Sequence, residues 1–143
     1  MPNVDPRIPG IHHLGLVVRD LERSRRFFDA VMPRMDWQVS DDNGEPTYTC
    51  GNTQIYLQQN RDAGAVFQRY GVGLQHLAFN APSRERVDAL HGFLLDSGIL
   101  HDEARLLDAP APYPEYSPGY YAVFFTDPSG IVLEYCYTPD LAL

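Results

Sequence analysis

Residues Gly10–Val18 read GIHHLGLVV, and residues Gly73–Ala81 read GLQHLAFNA. Laid one on the other, Gly10 meets Gly73, His13 meets His76, Leu14 meets Leu77 and Gly15 meets Ala78. An internal repeat of this kind constrains the fold more than any single segment does. Both runs are apolar with a polar interruption, which reads as a strand. Each leads into a helix. Asp20 suits an N-cap because its carboxylate can accept a hydrogen bond from the free N–H groups of the first turn. Leu21, Phe28 and Val31 follow at roughly helical spacing, and Pro33 ends the run because it cannot supply the next N–H. In the second copy Ser83 is the cap, Val87, Leu90 and Leu94 form the apolar stripe, and Gly98 is the stop.

Each copy closes with a hairpin. The first comprises Tyr48 to Cys50, a Gly51-Asn52 turn, and Thr53 to Gln59. The second comprises Tyr121 to Thr126, the turn Asp127-Pro128-Ser129-Gly130, and Ile131 to Tyr137. In the latter turn proline presets φ and glycine tolerates positive φ. One further strand is expected before each hairpin, at Trp37 to Ser40 and between His101 and Leu107. The reading is α+β: two tandem β-α-β-β-β modules, residues 10–71 and 72–143, forming one compact domain after a loose segment, residues 1–9. Asp108 to Gly119, DAPAPYPEYSPG, reads as one long loop, either a lid or surface ornament.

Composition excludes several functions. The 143 residues carry 19 Asp and Glu against 11 Lys and Arg, a net charge of −8. A phosphate backbone needs a basic face, so neither nucleic acid nor an anionic membrane surface is an expected partner. Arg23, Arg25 and Arg26 read as a solvated helix face. No apolar run approaches the ~20 residues of a membrane span, and no basic-then-apolar leader opens the chain, so a cytoplasmic protein is expected. Cys50 and Cys136, far apart in predicted strands, read as free thiols.

The repeat also points to a metal. Side chains alternate along a strand, so Val132, Glu134 and Cys136 share a face. A carboxylate within such an apolar run is costly to bury unless something positive meets it. His13 and His76 stand at equivalent places in the two copies. His12, on the opposite face from His13, aligns only with Gln75. If the copies pair about a pseudo-twofold axis, His13, His76 and Glu134 can face one cavity, where two imidazoles and a carboxylate leave positions open on a divalent metal. Fe, Mn, Ni, Co and Zn all suit such ligands. Gly15 and Ala78 would leave room beside it, or simply pack closely. Aligning the hairpins places Tyr56 opposite Glu134.

The segments His12 to Phe28, Gly73 to Ala81 and Tyr120 to Tyr137 together resemble the vicinal oxygen chelate superfamily, which includes glyoxalase I, bleomycin-resistance proteins, extradiol dioxygenases, methylmalonyl-CoA epimerase and fosfomycin-resistance enzymes. The resemblance runs from about Gly10 to Tyr137. It implies a curved open barrel around one divalent metal, a small-molecule substrate and often a dimer. It implies ligand positions at His13, Tyr56, His76 and Glu134, of which Tyr56 departs from the carboxylate or glutamine of the isomerase and epimerase patterns. The remaining His-His-Glu set matches extradiol dioxygenases and the fosfomycin-resistance enzymes, without the phosphonate-binding cluster of the latter.

Metal-dependent activation of a small molecule with neighbouring oxygens, through dioxygenase-type or lyase-type chemistry, is therefore the leading expectation. Tyr120 and Tyr121, at the start of a strand leading towards the site, are candidates for a hydrogen-bond donor or acid, and Tyr56 completes the catalytic candidates. The alternatives are a glyoxalase-like isomerase or epimerase, a non-catalytic drug-binding protein, and a purely structural role in which His13 and His76 pair with backbone or with Glu134.

Overall fold

Asp20 and Ser83 do cap the two helices. Asp20 Oδ1 accepts from the Arg23 amide at 3.1 Å, and Ser83 Oγ from that of Arg86 at 3.2 Å. The structure, a computed structural model, describes residues 4–101 and 103–139. In order it contains β1 (His13–Val18), α1 (Leu21–Val31), β2 (Gln38–Asp42), β3 (Glu45–Cys50), β4 (Thr53–Gln59), β5 (Leu77–Asn80), α2 (Arg84–Asp96), β6 (Leu106–Pro112), β7 (Tyr121–Thr126) and β8 (Val132–Tyr137). Both modules are thus β-α-β-β-β. Removing either cap leaves first-turn amides unsatisfied, so Asp20→Ala and Ser83→Ala are each expected to cost about 1 kcal/mol in urea unfolding followed by far-ultraviolet circular dichroism.

The strands form two four-stranded mixed sheets, ordered β1-β4-β3-β2 and β5-β8-β7-β6. In each, the first strand of the module lies parallel to the last and the other pairs are antiparallel. Each sheet is open, so neither closes into a barrel on its own. The chain divides between Ala65 and Val66 into two compact units, earlier than the expected boundary after Gly71. The segment after Val66 goes with the second unit because Phe67 packs on a cluster of Ala122, Phe124 and Val132 there.

One face of each sheet is core. In the first unit Leu16 and Val18 join Ile55, Leu57 and Tyr48, with Phe27, Phe28 and Val31 of α1. The Phe28 and Tyr48 rings lie 5.8 Å apart, and the Tyr48 hydroxyl donates to Asp29 at 2.9 Å. In the second unit Phe79, Val123, Phe125, Leu133 and Tyr135 are buried together with Val87, Leu90 and Leu94 of α2.

Two local expectations need correction. Helix α1 does stop before Pro33, but the chain continues helically as a 3-10 turn, Met32–Met35, ending at Asp36 with φ of 68°. The stretch read as a loop from Asp108 is strand as far as Pro112, leaving only the connection from Tyr113 to Tyr120. β6 is an edge strand interrupted by register shifts between Leu106 and Asp108 and between Asp108 and Ala111. Bulges and an edge position are where a sheet tolerates prolines, which is why so proline-rich a segment still pairs.

Candidate functional site

The other face of the second sheet carries the site. Register places Ala78, Glu134 and Phe124 side by side on β5, β8 and β7. The first sheet repeats the arrangement with Gly15 beside Tyr56 on β1 and β4, so the expected equivalence of Tyr56 and Glu134 holds at the level of strand register.

Glu134 is 2% exposed. Its Oε2 lies 3.1 Å from His76 Nε2, and its Oε1 accepts a short hydrogen bond from the Tyr120 hydroxyl. His76 Nδ1 bonds Gln75 Oε1. His76 and the Glu134 carboxylate are thus in direct polar contact. Burial, with Cys136 and Glu134 beside it, raises the Tyr120 phenol well above its ordinary value. The Cys136 thiol is likewise raised by burial, although the bond with Tyr120 acts in the opposite sense.

These groups open on a cavity of about 500 Å³. Its wall includes Tyr113, Tyr116 and Phe124 as well as His76, Tyr120 and Glu134, with Arg69, Gln75 and Asp108 at its border. Tyr113 and Tyr116 stack with centroids 5.5 Å apart and planes inclined by 17°, and Tyr120 meets both edge-on.

The remaining sequence candidates lie elsewhere. Tyr121, one residue on from Tyr120, has the opposite strand parity. Its hydroxyl donates to Asp88 of α2 at 2.6 Å and its ring lies 5.0 Å from the Arg84 guanidinium carbon, so it belongs to the helix side of the sheet. His13 and Tyr56 belong to the first unit, where their rings lie 5.8 Å apart. A Cβ on Gly15 would come within 2.7 Å of the Tyr56 hydroxyl, so this glycine makes room for a ring. His12 lies just before β1, and strand alternation does not separate it from its neighbour: the two Nδ1 atoms are 2.9 Å apart.

Among the described residues no group of three or more His, Cys, Asp and Glu side chains could by itself hold a metal ion. What the second unit offers is a two-donor pair, an imidazole and a buried carboxylate, and that donor chemistry fits part of a divalent-metal site. The direct His76–Glu134 contact is also what a structural role for these residues would give.

Arg69, Tyr113, Tyr116 and Phe124 were not singled out in the sequence. Strand parity would have found Phe124, which shares a face with Glu134. Arg69 lies in the connection between modules, where the repeat offers no counterpart.

Known proteins with the same fold bear on the site. The family model of the Glyoxalase/Bleomycin resistance protein/Dioxygenase superfamily matches residues 10–135. The uncharacterized protein YqjT of Bacillus subtilis (strain 168) is 30% identical over 135 residues, covering 87% of this chain and 95% of its own. A crystal structure of a glyoxalase candidate from Bacillus halodurans matches with a TM-score of 0.73 at 30% identity, covering 90% of this chain and 95% of that one. A glyoxylase/bleomycin resistance protein/dioxygenase domain from Frankia sp. EAN1pec shares the fold, with a TM-score of 0.71 at 23% identity, covering 94% and 95%. No helix among the described residues is long and apolar enough to cross a membrane. The tandem modules, the matched register and the span of the family match together place this chain in the glyoxalase/bleomycin resistance protein/dioxygenase superfamily.

Proposed function

We propose that the protein is a divalent-metal-dependent enzyme that binds a small molecule through two neighbouring oxygens and carries out dioxygenase-type or lyase-type chemistry in the cavity bordered by Glu134. The superfamily includes glyoxalases and dioxygenases, and its members commonly bind divalent metals. One observation carries the reading: a carboxylate 2% exposed, held between an imidazole and a phenol, facing a cavity rather than the core. A buried carboxylate without a full cation beside it is costly, and a metal bound between it and His76 would supply that cation.

His76 and Glu134 would hold the ion, and the His13→Ala variant tests whether His13 is a further ligand. The ion, when bound, would supply Lewis-acid stabilisation of an anion on neighbouring substrate oxygens. The chain's own groups do the rest. Gln75 fixes the His76 ring through its contact with Nδ1, as partners of ligating histidines commonly do. Tyr120 holds its proton at Oη and orients the Glu134 carboxylate by donating to it. Tyr120 would supply a hydrogen bond to substrate; Tyr121, occupied by Asp88, is not proposed for that role.

The test is metal content by mass spectrometry after supply of Fe, Mn, Ni, Co and Zn in turn, followed by oxygen uptake and product analysis on substrates with vicinal oxygens. About one metal per chain with turnover is expected. Folded protein that takes up no metal overturns the proposal. A non-catalytic binding protein is the second reading, favoured by the direct His76–Glu134 contact and by a tyrosine at position 56; small-molecule binding with no turnover on any loaded metal would establish it.

A further inference from the structure

The described arginines of an acidic chain are expected to find carboxylates, and several do. Arg7 pairs with Asp5 at 2.8 Å, Arg23 faces Asp20 at 3.7 Å, and Arg25 pairs with Asp41 and lies 3.8 Å from Asp29. Arg69 is different. It is half-buried, and among the described residues no carboxylate reaches it as an ion pair. Its guanidinium carbon lies 5.4 Å from the centre of the Tyr70 ring, and its Nε is buried without a hydrogen-bond partner. Asp108 borders the same cavity without pairing with it. The guanidinium is thus a charged, forked donor on the cavity wall with no anion of the described residues matched to it, the arrangement that a ligand's carboxylate would complete.

We propose that Arg69 is the anion-recognition residue of the cavity and that the substrate is a small aromatic acid whose carboxylate it holds. The planar guanidinium presents paired N–H groups that match a carboxylate bidentately. The tyrosines and Phe124 supply π faces for a ring, and a space of about 500 Å³ accommodates a molecule of that size. A phosphate would call for more positive charge, and Arg69 is the only lysine or arginine among the cavity's lining residues. The inference rests on the reading of this cavity as the substrate site and names the class of substrate.

The experiment is calorimetric titration with benzoate and with benzamide, its neutral isostere, into the parent protein and into Arg69→Gln and Arg69→Lys. Each titration is run with chelator and again after loading with Mn(II). The parent is expected to bind benzoate at least about tenfold more tightly than benzamide, the preference that charge-assisted hydrogen bonds confer. Arg69→Gln should bring the two within about twofold while leaving benzamide unchanged, and Arg69→Lys should keep part of the preference. Equal affinity in the parent, binding of neither probe, or an equal loss of both in Arg69→Gln overturns the inference. The parent comparison needs no variant, so a misfolded variant does not spare it. A preference that survives chelation upholds Arg69 even if metal uptake fails; metal uptake without a preference removes Arg69 and leaves the metal reading standing.

Discussion

Glu134→Gln is expected to leave the protein folded and unable to retain a divalent metal. The substitution keeps the shape of the side chain and keeps an oxygen for the Tyr120 hydroxyl, so the buried position remains filled and partly hydrogen-bonded. What it removes is the negative charge and the second oxygen that faces His76 Nε2. Losing a supporting residue outside the ligand shell commonly costs about 10–100-fold in metal affinity, and losing the carboxylate ligand itself should cost at least about 100-fold. His76→Ala and His13→Ala should each lose metal as well, and His13→Ala is the direct test of whether the first unit contributes a ligand. Metal retention by Glu134→Gln at the parent's level would show that the carboxylate serves only to hold His76 and Tyr120. Urea unfolding of the same variant guards against a trivial loss through misfolding.

The second large effect separates two adjacent phenylalanines. Phe125 is fully buried, on the face of β7 that α2 covers, and pairs in register with Leu133 and Leu106. Phe125→Ala leaves a cavity in tightly packed surroundings and is expected to cost about 3–5 kcal/mol in denaturant unfolding. Phe124, opposite Glu134, is 8% exposed and lines the cavity, with its ring 5.6 Å from Tyr113 and 6.3 Å from His76. Phe124→Ala is expected to cost clearly less in stability, because one side of the ring already borders open space, and to weaken the binding of aromatic probes. Equal stability losses from the two changes would mean that both faces of the second sheet are core, and would remove the cavity as a site.

The sequence was most legible where its information is local. Caps, apolar stripes and tight turns act over a few residues, so both helices and both closing hairpins could be placed from spacing alone. The equivalence of Tyr56 with Glu134 was legible because repeated modules repeat their register. β6 was not, since prolines argue against a strand unless the bulged, unpaired edge that tolerates them is already known. Tyr120 and Tyr121 looked interchangeable as neighbours, yet alternation sends one to Glu134 and the other to Asp88. Arg69 had no local signal at all. Its significance lies in the absence of a carboxylate partner among the described residues, and that is a property of the folded unit.

The prolines of β6 have a consequence for how the second sheet can grow. The Tyr113 amide donates inward to the Tyr120 carbonyl at 2.8 Å, so by alternation the backbone of Pro112 faces outward. An incoming strand seeking a ladder of donors along that edge would find no N–H at Pro112. Strand-by-strand addition, the route by which exposed sheets recruit other chains into fibrils, is hindered there. The other edge of this sheet is β5, the four-residue strand Leu77–Asn80, which contains no proline. That strand, without a proline to interrupt its amides, lies on the Glu134 side of the sheet, next to β8.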